Sequence, residues 1–326
     1  MSQGIGAWEK ENFVGAFRNE DRTVFDRVAQ LLIGRKSAAA FRRGQELRDQ
    51  FASAPKDELS VVIGSYNRCK LLQGAIASVR AQGIRLPYEI IVIDGGSTDD
   101  TCQWLLAERD ILTIVQHNRG ECNSRRIQRK SWGYFMNLGF KVARGKYILM
   151  LSDDCLLLPE AVNRAIEQLD KLQAEGRRIG GAAFYFRNWP SETEYYVQKT
   201  LGGNLMVNHG IFVRNALEAV GWIEEERYAF YKADSDLCLK LWHAGYEIVD
   251  CPGAFVEHYV DAAEPLRQSN DAVHARDRKA YLSRWRGIYL QPGKPHHIGR
   301  VTIRYDDPSA TADRFRELLK PQTVSA

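Results

Sequence analysis

Ser152, Asp153 and Asp154 directly follow the apolar run 147–151, and their side chains are well suited to binding a cation. An apolar run this short, bounded by Gly145-Lys146 on one side and a polar cluster on the other, predicts a buried strand. Carboxylates at the carboxyl end of a strand lie where open α/β sheets bind their ligands. They could hold a hard divalent cation, which in turn commonly holds a diphosphate. The alternative is a strand that ends in a turn, since Asp and Ser also favour turns.

Two further polar segments follow strand-like runs, at residues 64–68 and 94–99. Their small residues allow a ligand to approach the backbone closely. Tyr66 offers an aromatic face to a nucleotide base, and Asp94 could accept hydrogen bonds from a base or a ribose. Ordinary strand-to-helix turns would also explain both segments. Neither is a GxGxxG motif, so the dinucleotide-binding fingerprint is not met.

Strand-like and helical patterns alternate from about residue 59 to residue 260. This alternation predicts an α/β fold with a mostly parallel sheet and helices on both faces, a three-layer αβα arrangement. Helices are expected to start near Ser97 and near Pro159, and further helices are expected at 275–285 and 310–319. The predicted strands are 59–63, 89–93, 112–115, 147–151, 181–186, 205–213 and 247–250.

Three zones divide the chain: a helical N-terminal extension at 1–57, a central domain at 58–260 and a partly helical C-terminal extension at 261–326. Basic residues near Phe41 in the first zone would fit a surface that contacts anionic lipid. We favour a solvated helix packed on the core, or an oligomer contact. The helical extensions make a homodimer plausible.

The composition is that of an ordinary soluble protein, with 44% hydrophobic and 26% charged residues among 326. A net charge of +4 is slight for this length and gives no reason to expect a nucleic-acid polymer as partner. We expect no membrane span and no signal peptide, and therefore a cytoplasmic protein, at most peripheral to the inner face of a membrane. The six cysteines show no paired CxxC spacing, so free thiols are expected and a zinc site is not.

Segments 61–68, 89–101 and 143–154 together resemble a family 2 inverting glycosyltransferase of the GT-A fold. The resemblance covers roughly residues 59–260. It implies a nucleotide-sugar donor (UDP-, dTDP- or GDP-sugar) and a divalent cation, manganese or magnesium. The metal-binding DxD motif of that family falls on 152–154, with Ser152 in place of its first acidic residue.

By the same resemblance, Asp154 is expected to bind the metal and Asp153 to contact the nucleotide. The other residues expected to bind the nucleotide-sugar are Ser65, Tyr66, Arg68 and Asp94.

Asp234 resembles the aspartate of the family's Glu-Asp motif, which acts as catalytic base, although Ala233 replaces the glutamate. For Asp236, N-capping of a helix and an acceptor-side role are equally good interpretations. Trp222 is a further acceptor-side candidate. His258 stands at the spacing where the family often has a metal ligand.

The predicted function is transfer of a sugar from a nucleotide-sugar to a hydroxyl, in the biosynthesis of a cell-surface glycan or polysaccharide. The acceptor would be a glycan, a lipid-linked molecule or a protein. Residues 281–285 resemble the Gln-x-x-Arg-Trp motif of processive synthases but lack its glutamine, which favours a non-processive enzyme. The alternatives are a catalytically inactive GT-A domain that serves as a scaffold and, less favoured, a nucleotidyltransferase.

Overall fold

The computed structural model describes residues 58–118, 121–122, 124–189, 191–259, 264–290 and 298–305, with only the backbone for residues 122 and 264–271. All of these residues fall in the compact unit Lys56–Ala326. The N-terminal zone 1–57 and the helix expected at 310–319 lie outside the described residues. No helix in the described segments combines the length and the apolar character needed to cross a bilayer.

One half of the main sheet is parallel and consists of four strands in the order β6-β1-β2-β3. β1, β2 and β6 are almost continuously apolar and buried, as expected of parallel strands covered on both faces, whereas the edge strand β3 exposes Leu112 and Val115. Because they run in the same direction, their carboxyl ends lie at one edge and bring Ser65, Asp94 and Ser152 together. The strands are β1 (Leu59–Ser65), β2 (Tyr88–Asp94), β3 (Ile111–Val115) and β6 (Tyr147–Ser152).

The other half of the sheet is mixed. β10 is antiparallel to both β6 and β8, β9 is antiparallel to β8, and β12 adds an antiparallel edge strand beside β9. β11 pairs in parallel with β8 and antiparallel with β7. The strands are β7 (Cys155–Leu157), β8 (Ile179–Trp189), β9 (Tyr195–Lys199), β10 (Gly210–Val213), β11 (Glu247–Tyr259) and β12 (Gly299–Ile303).

Helices separate the strands, and a short hairpin of β4 (Glu121–Cys122) and β5 (Arg125–Arg126) stands apart from the main sheet. Ser131 caps the third helix, because its hydroxyl accepts a hydrogen bond from the backbone N–H of Tyr134. A 3₁₀ turn lies at Leu201–Gly203. The α-helices are α1 (Cys69–Arg80), α2 (Thr101–Ala107), α3 (Trp132–Val142), α4 (Ala161–Ala174), α5 (Arg214–Ala219), α6 (Ala233–His243) and α7 (Glu264–Arg284).

The structure confirms the predicted mostly parallel α/β sheet with flanking helices. It differs from the prediction at residues 205–213, where only Gly210–Val213 is a strand. Residues 206–209 form a loop instead, and His209 in that loop packs close to Cys155 of β7. The short strands β7, β9 and β12 were not predicted.

Candidate functional site

The loop after β2 is organised around the buried carboxylate of Asp94. The backbone N–H groups of Gly96 and Ser97 each donate to Asp94 Oδ2 at 2.8 Å, and the Ser97 hydroxyl donates to Oδ1 at 2.5 Å. The Cys102 thiol also donates to Oδ2, at 3.2 Å. Because Asp94 is fully buried, it shapes this loop from within. A direct contact with a nucleotide would require some of these bonds to open.

The loops after β1 and β2 are fastened to each other through Asn67. Its backbone N–H donates to Ser97 Oγ at 2.8 Å, and its side-chain oxygen accepts from the backbone N–H of Thr98 at 2.7 Å. Asn67 has a positive φ of 52°, an uncommon conformation that clusters at functional sites. Half-buried Tyr66 packs on Gly95, where a Cβ would lie 3.1 Å from the ring. The aromatic face predicted to meet a base therefore borders a closely packed loop.

Buried Asp153 and partly exposed Arg68 form an ion pair where β1 and β6 end. Arg68 Nη1 lies 2.9 Å from Asp153 Oδ1 and 2.8 Å from Asp154 Oδ2, and the Ser65 hydroxyl donates to Asp153 Oδ2 at 2.9 Å. Burial raises the pKa of Asp153 to about 6; Arg68 and the Ser65 hydroxyl oppose this rise, while Asp154 adds to it. The fold thus brings together three of the residues predicted to bind the nucleotide with one predicted to bind metal.

Asp154 presents its other oxygen to a second group of side chains. Asp154 Oδ1 lies 3.6 Å from His258 Nε2 and 3.9 Å from Cys155 Sγ. One possible ligand atom from each of these three residues lies within 4.8 Å of the other two. Burial acts to raise the pKa of Asp154, but His258 and Arg68 outweigh it and hold that pKa well below its usual range. Asp154 is therefore ionised at neutral pH, the form that binds a cation.

His258 is oriented by its neighbour Asn188. His258 Nδ1 lies 2.7 Å from Asn188 Oδ1, and the Asn188 amide donates to the Tyr196 hydroxyl at 2.9 Å. An amide oxygen only accepts, so Nδ1 carries a proton and Nε2 is the nitrogen that faces Asp154. The preceding residue, Glu257, points to the opposite face of β11 and forms a buried ion pair with Arg187.

His209 completes the surroundings of Cys155. The Cys155 sulfur lies 3.7 Å from Nδ1 and 3.8 Å from Nε2 of His209, and the rings of His209 and His258 lie 5.5 Å apart. Burial, reinforced by the neighbouring His258 and opposed by Asp154, lowers the pKa of His209 to about 3. His209 is thus a neutral ring at physiological pH.

Asp234 lies in the first turn of α6 and is partly exposed. Its Oδ1 accepts a 2.7 Å hydrogen bond from the backbone N–H of Ser235. Burial raises the pKa of Asp234 above its ordinary value, although Ser235 and Lys232 oppose the rise. Lys232, immediately before the helix, has a positive φ of 70°. This backbone conformation is costly for a residue with a long side chain and, like that of Asn67, marks a position under constraint.

Asp236, two residues further on, is fully buried against α7. The Tyr228 hydroxyl and the Trp285 indole N–H each donate to its Oδ1 at 2.9 Å, and Arg284 Nη1 lies 3.3 Å from its Oδ2. Desolvation raises the pKa of Asp236, against Arg284 and these two hydrogen bonds. Its contacts anchor α7 on α6, and an acceptor could reach it only if α7 moved.

Trp222 is half-buried at a turn with a positive φ of 62°. Its carbonyl oxygen accepts a hydrogen bond from Lys240 of α6. Asp277 of α7 accepts the backbone N–H groups of three successive residues, Ala229, Phe230 and Tyr231, in the segment that leads into α6. α7 therefore fixes the approach to Asp234, a role that the sequence pattern did not reveal.

A single loop connects the metal-ligand candidates with the base candidate. Residues 206–209 precede β10, whose start lies beside the end of β6. His209 contacts Cys155, next to Asp154, while Met206 Sδ accepts a hydrogen bond from the Ser235 hydroxyl, next to Asp234. Both candidate carboxylates therefore lie at the same end of the sheet.

Asn188 and Cys155 were missed as site residues at the sequence level. Asn188 lies on β8, far from any recognisable motif, and only the pairing of β8 with β11 places it beside His258. Cys155 follows Asp154 directly in the sequence, and this position next to a predicted metal ligand is the signal that could have identified it.

Comparison with known proteins identifies the domain. The glycosyl transferase family 2 model matches residues 60–214, and the chain thus contains a domain of this family. An uncharacterized glycosyltransferase of Rickettsia prowazekii is 32% identical over 114 residues, which are 35% of this chain and 32% of that protein. The chondroitin synthase of Escherichia coli is 33% identical over 107 residues, 32% of this chain and 14% of that protein. The aligned segments thus span about a third or less of these relatives.

The fold is shared with a crystal structure of Staphylococcus aureus TarS, residues 1–349, in complex with UDP-GlcNAc. The TM-score is 0.50 at 16% sequence identity, and the match covers 72% of this chain and 68% of that one. This similarity agrees with a GT-A arrangement of the sheet and helices.

Proposed function

We propose that this protein is an inverting, metal-dependent glycosyltransferase that moves a sugar from a nucleotide-sugar to a hydroxyl group. The observation that carries the proposal is the arrangement of Asp154 and Asp234. Asp154 Oδ1 lies 3.6 Å from His258 Nε2, and Asp234 lies in the first turn of α6 at the same end of the sheet. The family 2 domain at residues 60–214 supports the reaction class.

The donor's nucleotide is assigned to the loops after β1 and β2. Tyr66 offers a ring face, and the cross-linked loops of Asn67 and Ser97 are rigid enough to hold a base in one position. Arg68 supplies positive charge and N–H donors beside the expected diphosphate position, and Asp153, which accepts hydrogen bonds from Arg68 and Ser65, offers a carboxylate to the ribose. UDP-GlcNAc, which is bound by the structurally similar TarS fragment, is a reasonable first ligand to test, with dTDP- and GDP-sugars next.

The residues present fit a divalent cation. When Nε2 is unprotonated, Asp154 Oδ1 and His258 Nε2 are two acceptor atoms 3.6 Å apart, a spacing suitable for sharing an ion. His258 also has the orienting partner that metal-binding histidines usually have, here Asn188. A bound manganese or magnesium ion would neutralise charge on the leaving diphosphate. Ser152 is half-buried and offers a neutral hydroxyl beside this site.

Asp234 is assigned the role of base. The acceptor hydroxyl must lose its proton as its oxygen attacks the anomeric carbon, and a positioned carboxylate typically contributes about 10²–10⁴-fold to such a step. The raised pKa of Asp234 makes it a stronger base than an ordinary aspartate. Asp236 is buried and accepts a hydrogen bond from Trp285 at the end of α7. Asp234 is therefore the carboxylate in the first turn of α6 that an acceptor can reach. A single displacement assisted by one base inverts the anomeric centre.

A thermal-shift screen of nucleoside diphosphates and nucleotide-sugars, with and without manganese or magnesium, would identify the donor, since ligands that bind the native state stabilise it. Transfer to candidate glycan, lipid-linked and protein acceptors would then be assayed with wild type and Asp234→Asn. We expect metal-dependent binding in both proteins and transfer that is about 10²–10⁴-fold slower in Asp234→Asn than in wild type. Binding without hydrolysis or transfer by wild type would favour the scaffold alternative, for which the Arg68 bridge between Asp153 and Asp154 is the supporting observation.

A further inference from the structure

We propose that Cys155 is a third protein ligand of the cation, together with Asp154 and His258, and that this donor set selects zinc or cobalt over manganese and magnesium. The inference rests on the metal site of the proposed function and specifies which ion it takes. It also revises the expectation of no zinc site, which considered only paired cysteines.

Strand register places the three ligands together. Cys155 and His258 are direct cross-strand partners in the antiparallel pair of β7 and β11, and such partners lie on the same face of a sheet. On the other side of β11, His258 is the register partner of Asn188 in β8. Three neighbouring strands thus contribute a thiol, an imidazole and the amide that orients the imidazole. Asp154 immediately precedes Cys155 and completes the set.

The distances between donor atoms favour a tetrahedral ion. Bonds of about 2.0–2.3 Å place neighbouring ligands of a tetrahedral ion roughly 3.3–3.7 Å apart. Right-angled ligands of an octahedral magnesium ion would be only about 3.0 Å apart. The observed separations from Asp154 Oδ1 are 3.6 Å to His258 Nε2 and 3.9 Å to Cys155 Sγ, and the ligand atoms of Cys155 and His258 lie within 4.8 Å of each other. Small side-chain adjustments would therefore seat a zinc-sized ion.

The chemistry of the donors points to the same ions. Thiolate ligands favour zinc and other soft or borderline metals, whereas magnesium and manganese prefer sites made of oxygen ligands. Asp154 Oδ2 is engaged by Arg68, so Asp154 offers a single oxygen, as expected in a tetrahedral site. Three protein ligands would leave a fourth position for an oxygen of the diphosphate, the pattern of zinc sites that bind substrate.

Cobalt(II) absorption tests the proposal directly, because cobalt bound by a thiolate shows a near-ultraviolet sulfur-to-metal charge-transfer band. The full-length protein would be titrated with cobalt, followed by competition with zinc and with manganese. The variants are Cys155→Ser, Asp154→Asn and, as matched control, Cys251→Ser. Cys251 is as deeply buried as Cys155, at 1% exposure, and lies on β11 outside the ligand cluster.

We expect the charge-transfer band in wild type and Cys251→Ser, its loss in Cys155→Ser, and loss of cobalt binding in Asp154→Asn. Zinc affinity should fall by roughly tenfold or more in Cys155→Ser, while manganese affinity stays unchanged. A cobalt spectrum that lacks the band in wild type, or that is identical in Cys155→Ser, would overturn the proposal. If wild type lacks the band but still transfers the sugar, Cys155 is not a ligand and the proposed function stands. If wild type shows the band but does not transfer a sugar, the cysteine ligand stands and the proposed function is wrong.

Discussion

The two sides of the candidate site are built differently. On the nucleotide side, the loops after β1 and β2 are short and hold each other through backbone hydrogen bonds to Asp94, Asn67 and Ser97. On the base side, Asp234 depends on elements that are distant in sequence: α7 fixes the segment before it through Asp277, and α6 is anchored to α7 by Asp236. The first side is organised locally, and the second by tertiary packing.

This difference separates binding from catalysis. A locally organised nucleotide side should keep its donor affinity when the packing of α7 is disturbed, because the hydrogen bonds of Asp94, Asn67 and Ser97 described above hold the two loops without α7. The base side should lose activity under the same disturbance. Variants that separate donor affinity, turnover and stability therefore test the comparison.

The largest expected effect is that of Asp234→Asn. The amide cannot accept the acceptor proton, so turnover should fall by about 10²–10⁴-fold, while the affinity for the nucleotide-sugar is retained. Steady-state kinetics and isothermal titration with the donor measure the two quantities. Near-normal turnover by a folded Asp234→Asn protein would exclude the residue as base.

Asp236→Ala should act on stability. It leaves the Tyr228 hydroxyl and the Trp285 indole N–H without their buried acceptor, which should cost about 2–3 kcal/mol of unfolding free energy. Urea denaturation measures this loss, with Trp285→Phe as a control that removes only one of the two donors. Unchanged stability together with a specific loss of acceptor affinity would instead favour the acceptor-side interpretation.

Asn188→Ala should weaken metal binding without removing a ligand. His258 would lose the partner that sets its orientation, and the affinity for the cation should fall by about 10–100-fold. Tyr196→Phe, which keeps the Asn188 amide, serves as control. Equal metal affinities of Asn188→Ala and wild type would show that His258 is not a ligand or needs no orienting partner.

The smallest effect is a shift in pH dependence. Burial raises the pKa of Asp234, and a base must be deprotonated, so kcat/KM should rise with pH through a value above the ordinary aspartate pKa of about 3.9. The folded state also binds this proton more tightly than the unfolded state, so the stabilisation from this group is present at low pH and lost as pH rises. A pH–rate profile with an acidic limb at or below about 3.9 would contradict the assignment. The residual activity of Asp234→Asn should lack that limb.

The sequence predicted the locally organised side more completely than the other. Short apolar runs followed by polar residues placed Ser65, Asp94 and Ser152 at strand ends, and the parallel register brought them together. The strand expected at 205–213 was too long because its apolar residues line a loop, and β12 pairs with β9, which is distant from it in the sequence. No local pattern could place Asn188 beside His258, since that contact depends on the register of β8 and β11.

The most direct measurement is a crystal structure of the full-length protein with the nucleoside diphosphate identified by screening and with an anomalously scattering divalent ion. The account predicts an anomalous peak between Asp154 Oδ1 and His258 Nε2, the diphosphate bound to that ion, and Asp234 facing the side of the diphosphate where the sugar attaches. An ion and a nucleotide bound elsewhere, or Asp234 turned away from the bound diphosphate, would contradict it.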